Sequence, residues 1–362
     1  MFYSQFSLYL TEKCNYSCTY CYQSRAHSTL DFETIHKTLR FFLPELTSDS
    51  FINFTGGEPL LAFDLIRETV EFLEGQTRRG EPSFIYQMTT NGSLLDREKL
   101  EFFNSRRFRI LLSFDGLSQD TSRQPDSRKQ MEALVETLPN YPSIETSVNC
   151  ILTPSTVRTL LPSFDLFMSL GIKDITFTPD LTQPWEAGDI QNFKSEMTRL
   201  ADRLADLFEA GEKIPVRNFR GGQSPGLFIC GGGFQRLALT PDSKVWGCEH
   251  FFDYFRTGNR PEDRNKYCFG REDDGFKSWK TARRKIVRSV NKLQMRKFRT
   301  PSARCASCPE LRLCFACPVT AAYASGKIGL ITEWECLLRK EMRHIREDFL
   351  ARIGRAARVR GF

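Results

Sequence analysis

Residues 11–22, TEKCNYSCTYCY, decide how the rest of the chain is interpreted. Three cysteines, Cys14, Cys18 and Cys21, are separated here by three and then two residues. Three closely spaced thiolates can ligate three irons of a cubane iron–sulfur cluster. The fourth iron of such a cluster has no protein ligand and is free to bind a reacting molecule, so this spacing indicates a catalytic cluster.

Zinc sites and disulfide scaffolds also contain clustered cysteines. Structural zinc usually takes two cysteine pairs, and disulfide-rich chains are usually short and secreted. This chain has 362 residues and twelve cysteines. Its start, Met1–Phe6, has neither the basic nor the apolar region of a signal peptide. The composition therefore favours metal ligation in a reducing cytoplasm, although structural zinc remains an alternative.

The overall composition is that of an ordinary globular protein, with 40% hydrophobic and 26% charged residues. No apolar run approaches the ~20 residues that a membrane span requires. The net charge of +7 is concentrated between Lys277 and Arg304 and between Arg352 and Arg360. The simpler interpretation is a solvated basic face and a frayed tail; the alternative is a surface for an acidic partner such as a peptide leader. No aromatic-interleaved motif supports nucleic-acid binding.

Strand-like and helix-like segments alternate through the first half of the chain. Such alternation predicts parallel βαβ units, with functional residues at the carboxyl ends of the strands. The predicted strands are Gln5–Leu10, Phe51–Phe54, Ser83–Met88, Arg109–Phe114, Glu145–Leu152 and Asp174–Phe177, and the predicted helices are Phe32–Leu43, Leu65–Leu73, Arg97–Phe103, Lys129–Leu138, Val157–Leu170 and Phe193–Leu207.

A second motif, Gly56-Gly57-Glu58-Pro59, directly follows the second predicted strand. Glycine allows the backbone to approach a neighbour closely, and the carboxylate can pair with an ammonium group. Together with the cysteine triplet, the motif resembles the signatures of radical S-adenosylmethionine (SAM) enzymes. The resemblance implies a [4Fe–4S] cluster on Cys14, Cys18 and Cys21, a partial (β/α)6 barrel, and SAM cleavage to a 5′-deoxyadenosyl radical.

The same resemblance suggests further SAM contacts. It implies that Gly56–Pro59 bind the SAM amino group, that Asn91 and Ser113 lie near the ribose, and that Tyr20 belongs to the SAM site. Arg123, or alternatively Arg128, would pair with the carboxylate. Asp115 follows in a Ser-x-Asp-Gly element that is common in the subfamily, and it could equally be a turn residue.

The second half is rich in cysteine. After a Gly- and Pro-rich linker at Arg217–Gly226, a predicted β-hairpin runs from Leu237 to Cys248 and a dense cysteine group follows. This pattern resembles the SPASM (twitch-type) domain of peptide maturases and anaerobic sulfatase-maturating enzymes. The resemblance implies two auxiliary [4Fe–4S] clusters, a proximal one on Cys230, Cys248 and Cys317 and a distal one on Cys305, Cys308, Cys314 and Cys336.

The chain departs from the full SPASM pattern. Only Cys230 stands where sulfatase-maturating enzymes have two cysteines, and Ser243 replaces the hairpin glycine. The proximal cluster would have either an open iron for a substrate thiolate or Cys268 as its fourth ligand. Cys268 lies in a charged segment that looks like an insertion, and an inert surface role is the third interpretation. Cys150, within a strand, is interpreted as a buried small hydrophobe.

Glu249 follows the second hairpin cysteine, where sulfatase-maturating enzymes have an Asp that is their proposed base. Glu249 or the next residue, His250, could deprotonate the substrate, or both could be solvent-facing ends of the hairpin. Only four histidines occur in the chain, so one beside a predicted ligand is of interest.

We therefore predict an α/β radical SAM core barrel with a bridging helix at 1–215, a SPASM domain with a β-hairpin and short helices at 216–345, and a basic tail at 346–362. The predicted function is oxidation of a ribosomally made peptide, giving a thioether, carbon–carbon or ether crosslink, with surplus electrons passing to an auxiliary cluster. The alternatives are formylglycine formation in a sulfatase and a non-catalytic iron–sulfur electron carrier.

The expected partners are a precursor peptide and a flavodoxin- or ferredoxin-type reductant, without nucleic acid or membrane. Only thirteen residues precede Cys14, so we expect no leader-binding domain within the chain. A separate leader-recognition protein, or the enzyme's own surface, would then recognise the peptide.

Overall fold

The computed structural model describes residues 3–76, 84–106, 108–220, 230–258, 260, 263–271, 276, 279–292, 305 and 307–359. Parts of four sequence predictions lie outside these residues, namely Ser83 at the start of the third predicted strand, the linker at 221–226, the basic stretch at 277 and 293–304, and the end of the basic tail at 360–362.

The first half forms a parallel sheet of six strands in the order β6-β5-β4-β3-β2-β1. Each strand is joined to the next by helical segments, as the alternating sequence pattern predicted. The confirmed βαβ order places the carboxyl ends of all six strands at the same end of the sheet. The strands are β1 Tyr3–Tyr9, β2 Leu46–Thr55, β3 Ile85–Thr90, β4 Arg109–Ser113, β5 Glu145–Leu152 and β6 Ile175–Pro179.

Two helices of this half, starting at Phe32 and at Arg97, begin at aspartate caps. Asp31 accepts a hydrogen bond from the backbone N–H of Thr34, and Asp96 accepts one from Lys99, as N-cap side chains do. The helices are α1 Phe32–Phe42, α2 Phe63–Gln76, α3 Arg97–Ser105, α4 Gln119–Ser122, α5 Arg128–Thr137, α6 Leu160–Ser169 and α7 Ala187–Glu209.

Helix α7 begins six residues before the predicted start at Phe193. A reciprocal capping box between Glu186 and Asp189 starts the helix, whereas the apolar periodicity becomes visible only at Phe193. The prediction missed this first turn because its signal is polar capping rather than amphipathic spacing.

The predicted hairpin is present as β7 Arg236–Thr240 and β8 Lys244–Trp246, which pair antiparallel. Ser243 occupies the turn with φ of +57°, a left-handed conformation that glycine adopts more readily. Strand β7 also pairs in parallel with β1, so the hairpin extends the sheet of the first half. This continuity was not expected from the sequence.

A ninth strand, β9 Cys268–Arg271, pairs antiparallel with β8. The segment that looked like an insertion is therefore the edge of the nine-stranded sheet. The charged sequence obscured it because an edge strand exposes one side and needs no apolar alternation there.

The remaining helices are α8 Glu249–Arg256, α9 Trp279–Lys292, α10 Thr320–Ser325 and α11 Glu333–Val359. Helix α11 packs along α7, with Lys194 Nζ 3.0 Å from Glu341 and Arg352 2.9 Å from Asp202. The predicted frayed tail is thus helical up to Val359, and the predicted boundary at 345/346 falls within this helix. No described helix is long and apolar enough to cross a membrane.

Candidate active site between the two cysteine-rich regions

A cavity of about 1120 Å³ opens at the carboxyl ends of the parallel strands. Thr55, Thr90, Ser113 and Thr178 line it where β2, β3, β4 and β6 end. The opposite wall comes from the second half of the chain, mainly the start of α8 and one face of α11. The predicted site residues in the lining are Cys14, Cys18, Tyr20, Cys21, Gly56, Gly57, Asn91, Ser113, Arg123, Glu249, His250 and Cys317.

The three thiols of the first loop lie within electrostatic reach of one another. Burial raises the pKa of Cys14, Cys18 and Cys21, to about 11 for Cys18. Negative charge on Cys21 raises the pKa of both other thiols further. Three thiolates held together without a metal repel one another, and iron would offset that repulsion, so the donor set fits an iron–sulfur cluster.

Asp115 connects this loop to the parallel sheet through hydrogen bonds. Its side chain is completely buried and accepts hydrogen bonds from Tyr20 Oη at 2.5 Å, Ser122 Oγ at 2.7 Å and Arg123 Nη2 at 3.0 Å. The backbone N–H of Ile151 donates to it at 2.9 Å. Asp115 thus joins the cysteine loop to the ends of β4 and β5, which gives the Ser-x-Asp-Gly element a structural role.

Gly56 and Gly57 lie directly against the cysteine loop. A Cβ on Gly56 would lie 2.4 Å from Thr11 O, and one on Gly57 would lie 2.3 Å from Lys13 O. The backbone N–H of Gly57 donates to Thr11 O at 2.8 Å, and that of Glu58 donates to Lys13 O at 2.9 Å. The two sequence motifs are therefore one backbone-paired unit, and a side chain at either glycine would separate them.

Glu58 is fully buried, and its carboxylate is bonded within the protein. It accepts hydrogen bonds from Thr90 Oγ1 at 2.7 Å, Leu60 N at 3.0 Å and Asn91 N at 2.8 Å. Burial raises its pKa to about 7 despite these bonds. Neither Glu58 nor Pro59 lines the cavity, so pairing of Glu58 with a SAM ammonium group would require these bonds to rearrange.

The other predicted SAM contacts are arranged around the same cavity. Asn91 Nδ2 donates to Asn15 Oδ1 at 2.9 Å, which ties the end of β3 to the cysteine loop. Arg123 lines the cavity and forms an ion pair with Asp115, whose charge raises its pKa although burial alone would lower it. Arg128 instead pairs with Asp120 and Glu132 and does not line the cavity.

The predicted proximal set is also brought together. Cys230 and Cys317 interact electrostatically, and both raise the pKa of Cys248, which burial raises most. Cys248 immediately precedes α8, while Cys317 lines the large cavity. Of these three cysteines, Cys317 alone lines the cavity that the first three thiols also line.

The predicted distal set forms a separate group. Burial raises the pKa of Cys314 to about 11, and negative charge on Cys336, Cys305 and Cys308 raises it further. None of these four lines the large cavity. Within the described residues, no three His, Cys, Asp or Glu side chains are grouped closely enough to chelate a single ion; a cubane cluster is held around four irons instead.

Cys268 does not share a cavity with any of the proximal cysteines. It lines a second cavity of about 390 Å³, and the charges that act on its thiol are those of Asp242, Lys244 and Arg264. Cys150 is 1% exposed in β5, and burial raises the pKa of its thiol.

Glu249 and His250 are in the large cavity at the first turn of α8. Glu249 Oε2 and His250 Nδ1 are both buried and have no hydrogen-bond partner in the described part of the chain. Burial lowers the pKa of His250, partly offset by the charge of Glu249. The His250 ring lies 5.8 Å from the Tyr22 ring, which stacks at 4.7 Å on Tyr323.

Helix α8 is tied directly to the start of the chain. Tyr9 Oη donates to Asp253 Oδ1 at 3.0 Å. Arg256 donates to both carboxylate oxygens of Glu12, at 2.8 and 3.1 Å. Glu12 is 1% exposed and lies two residues before Cys14. These bonds fix the first turn of α8 relative to the cysteine loop.

The sequence interpretation missed several lining residues. Thr178 directly follows the predicted strand Asp174–Phe177 and could have been found by the strand-end rule. Asn149 lies within the predicted strand Glu145–Leu152, and its side chain accepts a hydrogen bond from Thr178 Oγ1 at 2.7 Å. Tyr323, Phe315 and Arg339 also line the cavity. Only the packing of the second half against the first brings them there, so no sequence signal marked them.

Comparison with known proteins agrees with this geometry. Residues 8–160 match the model of the Radical SAM superfamily. The cysteine-type anaerobic sulfatase-maturating enzyme of Clostridium perfringens (strain 13 / Type A) is 23% identical over 285 residues, covering 71% of this chain and 77% of that enzyme.

Two solved structures extend the likeness beyond the matched domain. Native anSMEcpe with bound AdoMet and Kp18Cys peptide aligns with a TM-score of 0.77 and 20% identity, over 97% of this chain and 99% of that one. Streptococcus suis SuiB bound to precursor peptide SuiA aligns with a TM-score of 0.60 and 14% identity, over 92% of this chain and 76% of that one.

The protein therefore carries a radical SAM domain, which implies a [4Fe–4S] cluster and SAM. Its fold along nearly the whole chain is that of an anaerobic sulfatase-maturating enzyme. The predicted resemblance to radical SAM enzymes and to this group is confirmed.

Proposed function

We propose that the protein oxidises a peptide or protein substrate and that the oxidised carbon is trapped in a thioether, carbon–carbon or ether crosslink. The main observation that supports this proposal is the size of the large cavity. At about 1120 Å³ it exceeds the ~300–1,000 Å³ of ordinary small-molecule sites. Room for a second molecule beside SAM is what a radical reaction on a peptide requires. The peptides bound to anSMEcpe and SuiB support a peptide substrate.

When bound at Cys14, Cys18 and Cys21, the cluster with SAM would supply a 5′-deoxyadenosyl radical that takes a carbon-bound hydrogen atom. The backbone of Gly56 and Gly57, with Asn91, Ser113 and Arg123, would surround SAM from the strand ends. Tyr20 would act indirectly, because its hydroxyl is committed to Asp115.

Formation of the product also requires loss of one proton and one further electron. Glu249 and His250 have unpartnered buried atoms and line the cavity opposite the cysteine loop. We propose that one of them accepts the substrate proton. Cys230, Cys248 and Cys317, and the set Cys305, Cys308, Cys314 and Cys336, would provide ligands for two auxiliary [4Fe–4S] acceptors.

The three-thiol proximal set favours crosslinking over other oxidations. Its members reach the cavity through Cys317, and Cys268 lies in a different cavity. A fourth position facing the cavity could take a substrate thiolate. This arrangement would hold a cysteine of the peptide next to the oxidised carbon.

Formylglycine formation is the second candidate, and the likeness to the Clostridium perfringens sulfatase-maturating enzyme favours it. The two reactions leave different products from a cysteine-containing peptide. A crosslink removes two hydrogen atoms and keeps the sulfur, whereas formylglycine formation replaces the sulfur by oxygen.

The test is anaerobic incubation of the reconstituted protein with SAM, dithionite and cysteine-containing peptides, followed by mass spectrometry. We expect 5′-deoxyadenosine together with a peptide that has lost two hydrogens. Cys14→Ala should abolish both products. Glu249→Gln or His250→Asn should retain SAM cleavage but lower peptide product about 10²-fold or more, for whichever residue takes the proton. SAM cleavage that persists in Cys14→Ala would refute the proposed reaction, and a peptide lacking its sulfur would establish the second candidate.

A further inference from the structure

Helix α9 carries a basic surface that the proposed reaction does not use. Between Trp279 and Lys292 the sequence has no Asp or Glu. Lys280, Arg284, Lys285 and Arg288 are all exposed. Lys280, Arg284 and Arg288 recur every fourth residue, so they form a stripe along one side of the helix. We call these four residues the α9 basic face.

The side of α9 opposite the basic face packs against the rest of the protein. Ile286 is fully buried, and Trp279 packs against the rings of Phe41 and Phe42 in α1. A Cβ on Gly233, three residues after Cys230, would lie 2.3 Å from Ile286 Cγ2. Arg283 lies over the Tyr3 ring at 4.8 Å. The basic face is therefore held rigidly by both halves of the protein, next to the proximal cysteine set.

The second cavity, of about 390 Å³, adjoins this face. Lys285 belongs to both, and Lys244 and Arg264 add two further cations to the cavity lining. Trp246 and Phe269 provide apolar lining in the same cavity. The nearby carboxylates in the described part of the chain are Asp242, 3.3 Å from Lys244, Asp263, which caps the turn at Arg264, and Glu45, 3.7 Å from Arg283 of α9.

We propose that the α9 basic face and this cavity bind an acidic segment of the peptide substrate, outside the part that is chemically modified; this inference rests on the proposed function. Cations four residues apart on a helix are separated by about 6 Å along the axis. Alternate side chains of an extended peptide are separated by about 6.6 Å. The stripe therefore matches acidic residues at every second position, with a neighbouring apolar side chain entering the cavity.

This surface lies close to the proposed reaction site. Trp246 lines the small cavity and Glu249 lines the large one. Two residues separate them along the chain, so their Cα atoms are at most about 11 Å apart. A segment bound at α9 would raise the local concentration of the attached reactive residue without occupying the large cavity.

The test is fluorescence anisotropy with the full-length, cluster-reconstituted protein. The probe is a labelled peptide in which three aspartates alternate with serines and are followed by a leucine. A second probe groups the aspartates in one block, and a third replaces them by lysines. We expect the alternating probe to bind most tightly, and binding to weaken between about 0.05 M and 0.5 M salt, because exposed charges are screened.

The decisive variant is the triple substitution Arg284→Gln, Lys285→Gln, Arg288→Gln. It should weaken binding of the alternating probe about tenfold. The matched control, Arg40→Gln, Lys129→Gln, Lys213→Gln, removes the same charge from exposed positions elsewhere and should bind like the wild type. The proposal would be overturned if both triple variants bound the alternating probe equally well. It would also be overturned if the wild type bound the lysine probe as tightly as the alternating probe.

A single-stranded oligonucleotide of equal charge provides the competing outcome. If it binds more tightly than the alternating peptide, and through the same three residues, the surface is a nucleic-acid site and the peptide proposal is wrong. SAM cleavage by the decisive variant should match the wild type. Binding through α9 without peptide modification would refute the proposed reaction alone, whereas modification without α9-dependent binding would refute this inference alone.

Discussion

The loop that carries Cys14, Cys18 and Cys21 and the segment that carries Cys305, Cys308 and Cys314 present the same kind of ligand in different settings. Side chains from distant strands hold the first loop, through Tyr20–Asp115 at 2.5 Å and Asn15–Asn91 at 2.9 Å. The described backbone bonds of the second segment are mostly local turns, such as Cys308 N to Cys305 O at 3.2 Å, and Glu310 in this segment pairs with Arg343 and His344 of α11.

The first loop is therefore tied to the ends of the parallel strands, whereas the second segment is tied to helix α11. Helix α8, which directly follows Cys248, is bonded to Glu12 and Tyr9 and so links the first loop to the predicted proximal cysteines. The following predictions test this contrast and the link.

Asp115→Asn should have the largest effect, because it leaves the Arg123 cation, 7% exposed, without its counter-charge. Removing one partner of a buried ion pair costs about 3–5 kcal/mol, which corresponds to a thermal midpoint about 5 °C lower for a chain of this length. Asp120→Asn is the control, since Asp120 is 40% exposed and should shift the midpoint only slightly. Equal midpoints for the two variants would mean that the loop is held by something other than Asp115.

Arg256→Gln should have the next largest effect, because it leaves the buried Glu12 carboxylate without its bidentate partner. We expect a loss of about 2–3 kcal/mol in unfolding free energy, typical of hydrogen bonds to charged groups. The double variant with Glu12→Gln should be little worse than Arg256→Gln alone. Additive losses in this double-mutant cycle, followed by denaturant unfolding, would show that the two residues are not coupled.

Glu58 should make the first half sensitive to pH. Its pKa is raised from 4.5 to about 7 in the folded protein, so the folded state binds more protons than the unfolded state between these values. Stability should therefore fall as pH rises from about 4.5 to about 7, by about 2 kcal/mol from this group. This prediction is checked by measuring the thermal midpoints of the wild type and of Glu58→Gln at several pH values in this range. A pH slope that is unchanged by the substitution would assign the effect to other groups.

Cys268→Ser should have the smallest effect, because Cys268 lines the second cavity, which none of Cys230, Cys248 and Cys317 lines. We expect the iron content of the reconstituted protein to be unchanged. Cys230→Ser is the matched comparison and should lose up to about four irons, one cubane cluster. A similar loss in Cys268→Ser would instead make Cys268 the fourth ligand of the proximal cluster.

The sequence by itself predicted the class of enzyme, the parallel βαβ order, the hairpin and the grouping of the cysteines. These features depend on local information. Cysteine spacing, strand and helix periodicity, and the Gly-Gly-Glu-Pro motif at 56–59 all lie within short stretches of chain. The grouping into Cys230–Cys248–Cys317 and Cys305–Cys308–Cys314–Cys336 came from family resemblance and stays a prediction.

Only the tertiary structure decided which partners these motifs have. Asp115 is bonded to the cysteine loop, the glycines at 56 and 57 pack on its backbone, and Glu58 is bonded to the end of β3. Arg256 reaches Glu12 across 244 positions, and β7 pairs with β1. No periodicity specifies such contacts, because they form between residues distant in sequence when helices and strands pack. The same packing places α9 beside the proximal cysteines and leaves its basic face exposed.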